Sequence, residues 1–562
     1  MDFKVNDNTL EEALAKVERI RNWSPRVISK LENAIRTASD EDLFRISPLQ
    51  WAVQKGMDEY EAVDLFLHGA KAGLFYMEWS VICPCCGQIT QSLRDLHSVE
   101  SESTCKLCFR KDKPNLDDAV QITFTLSPSV RSLRFHHPET LSLEDYTFKY
   151  RFEPTTSIVS GVIPFMDAFE YGKRHFSEFA PGEKITVETE VNVGALASWD
   201  LFGQQSFGLI ASGEPRAEAQ KIAVKLTDSG FEVPLPAMEP GEFSAGGADY
   251  AGTFYPIRPG KVILEFEQSA SAKASLLVAF YPISIGGGMR DILLPPGLPP
   301  DVESFLKAVL GGNTDVQMPA GLPPETVGMF ESVMEKIKKG GSFEMQMQPF
   351  HQYSSPRLTA KRLFASQTFH DLFRAEVFQE TEGFGIKDVT ILFTDLKSST
   401  QLYQQIGDLN AYALVREHYG VLNTAILNQH GAIVKTIGDA IMANFNHPRE
   451  AVGAGLEMLR GIRQLNQSSQ HGGLILKIGI HKGAAISVTL NNRIDYFGST
   501  VNIASRVQGS AGGDEIFLTE EIYSSPGVVE LLQKHGCQIE STMIELKGIE
   551  GQMKIYKVTG SN

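Results

Sequence analysis

Basic residues are in deficit in this 562-residue chain: 52 Lys and Arg stand against 68 Asp and Glu, a formal charge of −16. That balance argues against broad nucleic-acid binding through phosphates, though it does not exclude a small local basic patch. No apolar run reaches the length of a membrane span, and the first residues, Met1-Asp2-Phe3-Lys4-Val5, lack the pattern of a secretory leader. A soluble cytoplasmic protein is therefore expected. Cysteine is scarce, with six residues in all, so a disulfide-built scaffold is not. An apolar content of 42% with 21% charged residues describes an ordinary globular composition. The length exceeds what one core supports and implies three or four domains.

Four of the six cysteines form Cys83-x₂-Cys86 and Cys105-x₂-Cys108, with eighteen residues between the pairs. Paired knuckles at this spacing suit tetrahedral Zn²⁺ held by four thiolates, a zinc ribbon over 81–118. With four thiolates the site is closed, hence structural. Cys85 supplies an alternative ligand and keeps a redox-labile site open, while disulfides are disfavoured in a reducing cytoplasm.

Ahead of the ribbon, residues 1–80 read as helical. Leu10, Ala13, Leu14 and Val17 follow helical spacing, and Leu49 to Leu74 adds amphipathic turns that end near Gly73. Short helices followed by Phe75-Tyr76-Met77-Glu78-Trp79 fit a winged-helix-like unit, which elsewhere binds DNA or serves protein contacts; the acidic balance makes nucleic acid the weaker option. From 119 to 285 short β-rich runs, beginning with Val120–Phe124 and Phe148–Phe152 and ending with Ala274–Tyr281, alternate with Gly, Pro, Ser and Asp. They predict an antiparallel sandwich-like module. Glu188 and Glu190 share one face of its strand Ile185–Val193; they either line a pocket or form a solvated outer face. Residues 286–356 read as a Pro/Gly connector. In it Pro295-Pro296-Gly297-Leu298-Pro299-Pro300 and Pro319-Ala320-Gly321-Leu322-Pro323-Pro324 each lead a short helix. Within 357–385, Ala360 to Gln379 reads as one amphipathic coupling helix with Leu363, Phe364, Phe369, Leu372 and Phe373 on its apolar side. It pairs with its twin in a dimer or packs on its own domain.

The chemistry concentrates in residues 386–562. Asp395 closes the apolar run Val389-Thr390-Ile391-Leu392-Phe393-Thr394, and Asp439 closes Ala432-Ile433-Val434-Lys435-Thr436-Ile437-Gly438. Two carboxylates projected from strand ends can share a pair of hard divalent cations. Ser398-Ser399-Thr400 then opens a helix whose free N–H groups either meet phosphate oxygens or are capped by these side chains. Asn502 and Arg506 lie four apart on a helical run and so share a face.

With these motifs in order, followed by Ile478-Gly479-Ile480-His481 and the block Asp495-Tyr496-Phe497-Gly498-Ser499-Thr500-Val501-Asn502-Ile503-Ala504-Ser505-Arg506, residues 388–558 resemble the catalytic domain of class III nucleotidyl cyclases. The resemblance implies a ferredoxin-like βααββαβ core, and it makes Asp395 and Asp439 ligands of two Mg²⁺ or Mn²⁺ ions per active site. Arg506 would stabilise the α-phosphate and Asn502 would orient the ribose. Lys435 and Asp495 would read the base. A lysine donor and a carboxylate acceptor complement adenine N1 and N6, whereas guanine-selective members carry Glu and Cys, so ATP is expected over GTP. Lys547, in Leu546-Lys547-Gly548, matches the family lysine on the terminal phosphates. Metal ligands and the Asn/Arg pair come from opposite subunits in this family, so a homodimer with two composite sites follows.

The expectation is thus an adenylate cyclase governed by its N-terminal half through an unidentified ligand or protein. Guanylate cyclase, and a signalling scaffold of weak activity, are the alternatives. His418 and His481 are expected to be structural. Gly512-Gly513-Asp514-Glu515, which looks like a diguanylate cyclase signature, reads instead as a helix-to-strand turn.

Overall fold

A computed structural model describes residues 5–83, 87–105, 111–152, 174–191, 194–200, 205–237, 253–281 and 356–560 (the last without 469–472), with a few short pieces between them. Four helices open the chain: α1 (Asp7–Glu18), α2 (Val27–Thr37), α3 (Pro48–Lys55) and α4 (Glu59–Ala72). Their starts are written in the sequence. Asn6, Ser47 and Asp58 accept from the N–H groups of Thr9, Gln50 and Glu61, and Gly73 ends α4 in the left-handed region at φ 92°. Strand β1 (Phe75–Ile82) follows and is the centre of a three-stranded sheet between β2 (Ile89–Leu93) and β5 (Val120–Leu126). Between β2 and β5 lies the small pair β3 (Ser103–Thr104) and β4 (Lys111–Asp112).

Two runs assigned to the β-rich module belong elsewhere. All seven residues of β5 are buried, because it pairs with β1 on one side and meets Ile46 and Thr359 on the other; it is part of the N-terminal unit. Residues 148–150 lie in a helix, α5 (Leu143–Tyr150), started by Ser142. The sandwich begins later. One sheet runs β12 (Phe254–Ile257), β9 (Gln205–Ala211), β8 (Gly194–Asp200), β14 (Ala274–Tyr281), β6 (Arg174–Phe179). The other runs β11 (Gly230–Glu232), β10 (Arg216–Thr227), β13 (Gly260–Gln268), β7 (Lys184–Val191). Phe179, Val187, Phe207, Leu264, Phe266 and Leu276 fill a common core between them. On β7, Glu188 pairs with Lys261 at 2.7 Å on the exposed face, so the solvated reading of that carboxylate holds. The two short helices expected in 286–356 lie outside the described residues.

The single helix expected over 360–379 is two short ones, α6 (Ala360–Phe364) and α7 (Gln367–Leu372). Thr359 accepts from Arg362 N and Ser366 accepts from Phe369 N, so the second cap restarts the helix after one turn. This broken segment does not face outward to pair with a twin. Phe364, Phe369 and Phe378 are each 1% exposed or less; the first two pack with Trp79 of β1, and Phe378 packs on Phe364. Phe378 stacks in turn on Phe384 of the catalytic sheet. The N-terminal unit, the joining segment and one face of the catalytic sheet therefore share one hydrophobic core, from Leu10 through Trp79 and Phe364 to Ile391, Met442 and Tyr496. Polar contacts reinforce it: Arg362 pairs with Glu59 at 2.7 Å, and Tyr60 stacks on His430 while donating to Glu450.

The catalytic domain runs β15 (Gly383–Leu396), α8 (Ser399–Ile406), α9 (Asp408–Asn428), β16 (Ala432–Ile437), β17 (Ala440–Phe445), α10 (Pro448–Ser468), β18 (Leu476–Leu490) and β19 (Arg493–Phe497). It ends α11 (Ser499–Ser510), β20 (Glu515–Thr519), α12 (Glu520–Tyr523), α13 (Val528–Lys534), β21 (Gln538–Glu545) and β22 (Gln552–Thr559). Sheet order is β16-β17-β15-β18-β20-β22-β21, with β19 paired to β18. The order strand, two helices, hairpin, helix, strand, helix, strand is the one the motifs implied. Helices α9, α10 and α13 cover one face through Leu422, Ile426, Met458, Leu459 and Leu532. Gly512 to Glu515 form the turn from α11 to β20, with Gly513 and Asp514 at positive φ. Among the described residues no helix is long and apolar enough to cross a membrane.

Candidate active site

Asp395 sits on the last turn of pairing between β15 and β18, directly opposite Lys477. Thr394, fully buried beside it, accepts from the Ile441 N–H at 3.0 Å and so ties β15 to the start of β17. Asp439 occupies the tight β16–β17 turn, where Gly438 takes φ 62°. Three aromatic side chains hold that turn. His418 Nε2 lies 3.2 Å from the Asp439 carbonyl oxygen, Tyr419 donates to the Gly438 carbonyl, and Tyr403 donates to Asp439 Oδ2 at 3.3 Å.

The two carboxylates feel each other. Burial, and then the charge of Asp439, push the Asp395 carboxyl above its ordinary range, with Lys477 opposing. Burial and the same Asp439 charge raise the Tyr403 phenol, so it stays a donor. Two half-buried carboxylates that repel one another are a donor set suited to hard divalent cations. Ser398, which precedes α8, adopts φ 55° and makes no side-chain cap. The capping role weighed for it is thus not seen among the described residues.

Lys435 and Asp495 come together: Nζ lies 2.6 Å from Oδ2. Asp495, 6% exposed, accepts a second bond at Oδ1 from the Tyr496 N–H at 2.8 Å. Asn502 and Arg506 share the exposed face of α11, one turn apart. Among the described residues neither side chain makes a hydrogen bond or ion pair, to Asp395 and Asp439 or to any other group. Lys547 is exposed in the turn between β21 and β22; its neighbour Leu546 is buried against Val507 and Ile503 of that same helix. One chain thus brings together the carboxylate pair, the Lys/Asp pair, and a separate exposed group of Asn502, Arg506 and Lys547 around α11.

The histidines expected to be structural are buried: His481 bonds Thr519 at 2.9 Å, and His418 props the Asp439 turn. Sequence reasoning did not single out Tyr403 as a support. The signal available was its place in α8, four residues after Ser399, on the helix that follows Asp395. Of the cysteine set, Cys83 and Cys105 are buried at the ends of β1 and β3, and Cys105 Sγ donates to Gln88 Oε1 at 2.9 Å. Cys86 and Cys108 lie outside the described residues, and among the described ones no group of three or more His, Cys, Asp or Glu side chains could hold a metal ion.

Residues 384–560 match the sequence profile described as the adenylate and guanylate cyclase catalytic domain. Residues 10–246 match a family of unknown function, DUF5939. An adenylate cyclase of Mycosarcoma maydis is 30% identical over 161 residues, covering 24% of this chain and 6% of that one. An adenylate cyclase of Anabaena cylindrica is 28% identical over 185 residues, covering 30% of this chain and 36% of that one. The chain thus spans well under half the length of these relatives. Among solved structures, the adenylyl cyclase CyaB from P. aeruginosa aligns at 23% identity over 32% of this chain and 97% of that one, with a TM-score of 0.28. Residues 384–560 thus carry an adenylate and guanylate cyclase catalytic domain, and residues 10–246 match the family of unknown function.

Proposed function

We propose that this chain converts ATP to 3′,5′-cyclic AMP and pyrophosphate in a homodimer, under the control of its N-terminal half. The observation that carries ATP is the Lys435–Asp495 pair at 2.6 Å. An ammonium beside a carboxylate presents a donor and an acceptor side by side, the complement of adenine N1 and N6. The named relatives above are adenylate cyclases, which agrees with this choice.

The roles follow from side-chain chemistry. Asp395 and Asp439 would hold two Mg²⁺ or Mn²⁺ ions, and Tyr403, by occupying one oxygen of Asp439, leaves the other for a ligand. Bound there, such ions would supply a lowered pKa at the ribose 3′-hydroxyl and neutralisation of the leaving phosphates. Arg506 offers its planar fork to the α-phosphate as charge gathers there. Asn502 orients the ribose, and Lys547 meets the terminal phosphates.

The homodimer reading rests on exposure. Among the described residues Asn502 and Arg506 make no side-chain hydrogen bond or ion pair on α11, and the same domain leaves Leu409 82%, Tyr412 67% and Phe497 67% exposed. A second copy covering such apolar groups would bring one copy's α11 to the other's carboxylates. Control by the N-terminal half rests on the core it shares with the catalytic sheet. The structural zinc site of Cys83, Cys86, Cys105 and Cys108 is proposed from their spacing, and one zinc per chain, lost in Cys83→Ser, would bear it out.

Purified protein incubated with ATP or GTP and Mn²⁺, beside Asp395→Ala, tests the central step, with the product identified by mass. Cyclic AMP that disappears in the variant supports the proposal. Cyclic GMP overturns the base assignment, and no product at dimer-forming concentrations favours the weak scaffold.

A further inference from the structure

The strand that carries Asp495 is not anchored by the catalytic domain alone. Asn444 of β17, 2% exposed, donates from Nδ2 to the main-chain oxygen of Phe364 at 3.1 Å and to the Tyr496 hydroxyl at 2.7 Å. Phe364 ends α6 in the segment that joins the two halves, and Tyr496 follows Asp495 in the chain. A second tie is independent of the first. Thr489 of β18, 3% exposed, donates from Oγ1 to the main-chain oxygen of Phe378 at 2.9 Å, and it pairs directly with Ile494, the residue before Asp495. Both chain neighbours of Asp495 are therefore referenced to carbonyls of the joining segment.

Stability does not ask for these groups. Asn444 lies on the sheet face that also carries Met442, Val434 and Ile391, all in the shared apolar core. Its Oδ1 has no partner among the described residues. Burying an amide with an open acceptor is unfavourable, and an apolar side chain would pack this face at lower cost. What the amide and the hydroxyl add is direction, since a hydrogen bond fixes a distance and an angle that apolar packing leaves free.

We infer that Asn444 and Thr489 are positioning residues for base selection: they set the place of the Asp495 carboxylate opposite Lys435 and refer it to the joining segment. The inference rests on the proposed reading of Lys435 and Asp495 as the base contacts. Because Phe364 packs against Trp79 and Phe378 packs against Phe364, a shift of the N-terminal unit would reach the base contacts along this path.

The test uses the full chain with Asn444→Ala, Thr489→Val and Tyr496→Phe. Each is assayed for the ATP:GTP ratio of kcat/KM and, separately, for the ratio of ATP to GTP affinity by equilibrium binding. The expected result is a fall of about tenfold in both ratios for Asn444→Ala, carried by KM more than kcat, and smaller falls for the other two. Should Asn444→Ala not fold, the two milder variants, which keep the side-chain shape, carry the test. Ratios unchanged in folded variants overturn the inference, as does a wild-type binding ratio near one. If wild-type protein makes no cyclic product, the proposed function fails, while the binding ratios still decide this inference.

Discussion

The Lys435 ammonium and the Asp495 carboxylate, sixty residues apart in sequence, meet at 2.6 Å between β16 and β19. Asp495 is the more buried partner, with a side chain 9% exposed against 35% for Lys435. The pair therefore presents a fixed acceptor and a more accessible donor.

If that pair reads the base, exchanging it should move the preference. Lys435→Glu combined with Asp495→Cys is expected to shift the ATP:GTP ratio of kcat/KM toward GTP by at least about a hundredfold, because each misplaced donor leaves a buried partner unpaired. Steady-state kinetics with both nucleotides check this. A double variant slower on both nucleotides but unchanged in preference contradicts it.

The shared core predicts joint unfolding of the N-terminal unit and the catalytic domain. Phe369→Ala, at a site 1% exposed, should cost about 3–5 kcal/mol. All four tryptophans, Trp23, Trp51, Trp79 and Trp199, precede residue 200. In a Trp199→Phe background, tryptophan fluorescence then reports the N-terminal unit and nucleotide turnover reports the catalytic domain. Both signals should be lost at the same urea concentration and move together in Phe369→Ala. Two separated transitions would contradict a common core.

Much of this was legible beforehand, for identifiable reasons. Asp395, Asp439, Asn502 and Arg506 lie in contiguous motifs whose local pattern names strand, turn or helix. The sandwich strands alternate in the period of two that one solvated face imposes. The joining segment was misread because Phe364, Phe369 and Phe373 keep helical spacing through the break at Ala365–Ser366, and only the Ser366 cap reveals it. Strand β5 was misplaced because its alternation of Val, Ile, Phe and Leu with Gln and Thr marks a strand without showing which sheet it joins, and its pairing with β1 is made across some forty residues. The contacts of Asn444 and Tyr403 depend on partners 80 and 36 residues away, which no local pattern encodes.

Glu450, at the junction with Tyr60, gives a pH signature. Burial pushes its carboxyl from 4.5 up to about 7 in the folded chain, among Glu59, Arg362, His430 and His447. A raised carboxyl contributes stability that is fully present below about 4.5 and is lost as pH rises through about 7. At about 1.4 kcal/mol per pH unit, the loss is at most about 3.5 kcal/mol. The difference in Tm between wild type and Glu450→Gln, followed from pH 4.5 to 8, should therefore change steadily in favour of the variant. A difference that stays constant across that interval would contradict the assignment.

The most direct test of the central claim is complementation between half-sites. Asp395→Ala and Arg506→Ala should each abolish cyclase activity in isolation. Mixed in equal amounts and allowed to exchange, they form mixed dimers with one intact composite site, so activity should return to about a quarter of wild type at the same total concentration. A mixture that stays as inactive as its components would mean that each chain builds its whole site alone or that the chain does not catalyse cyclisation, and either result would contradict the account.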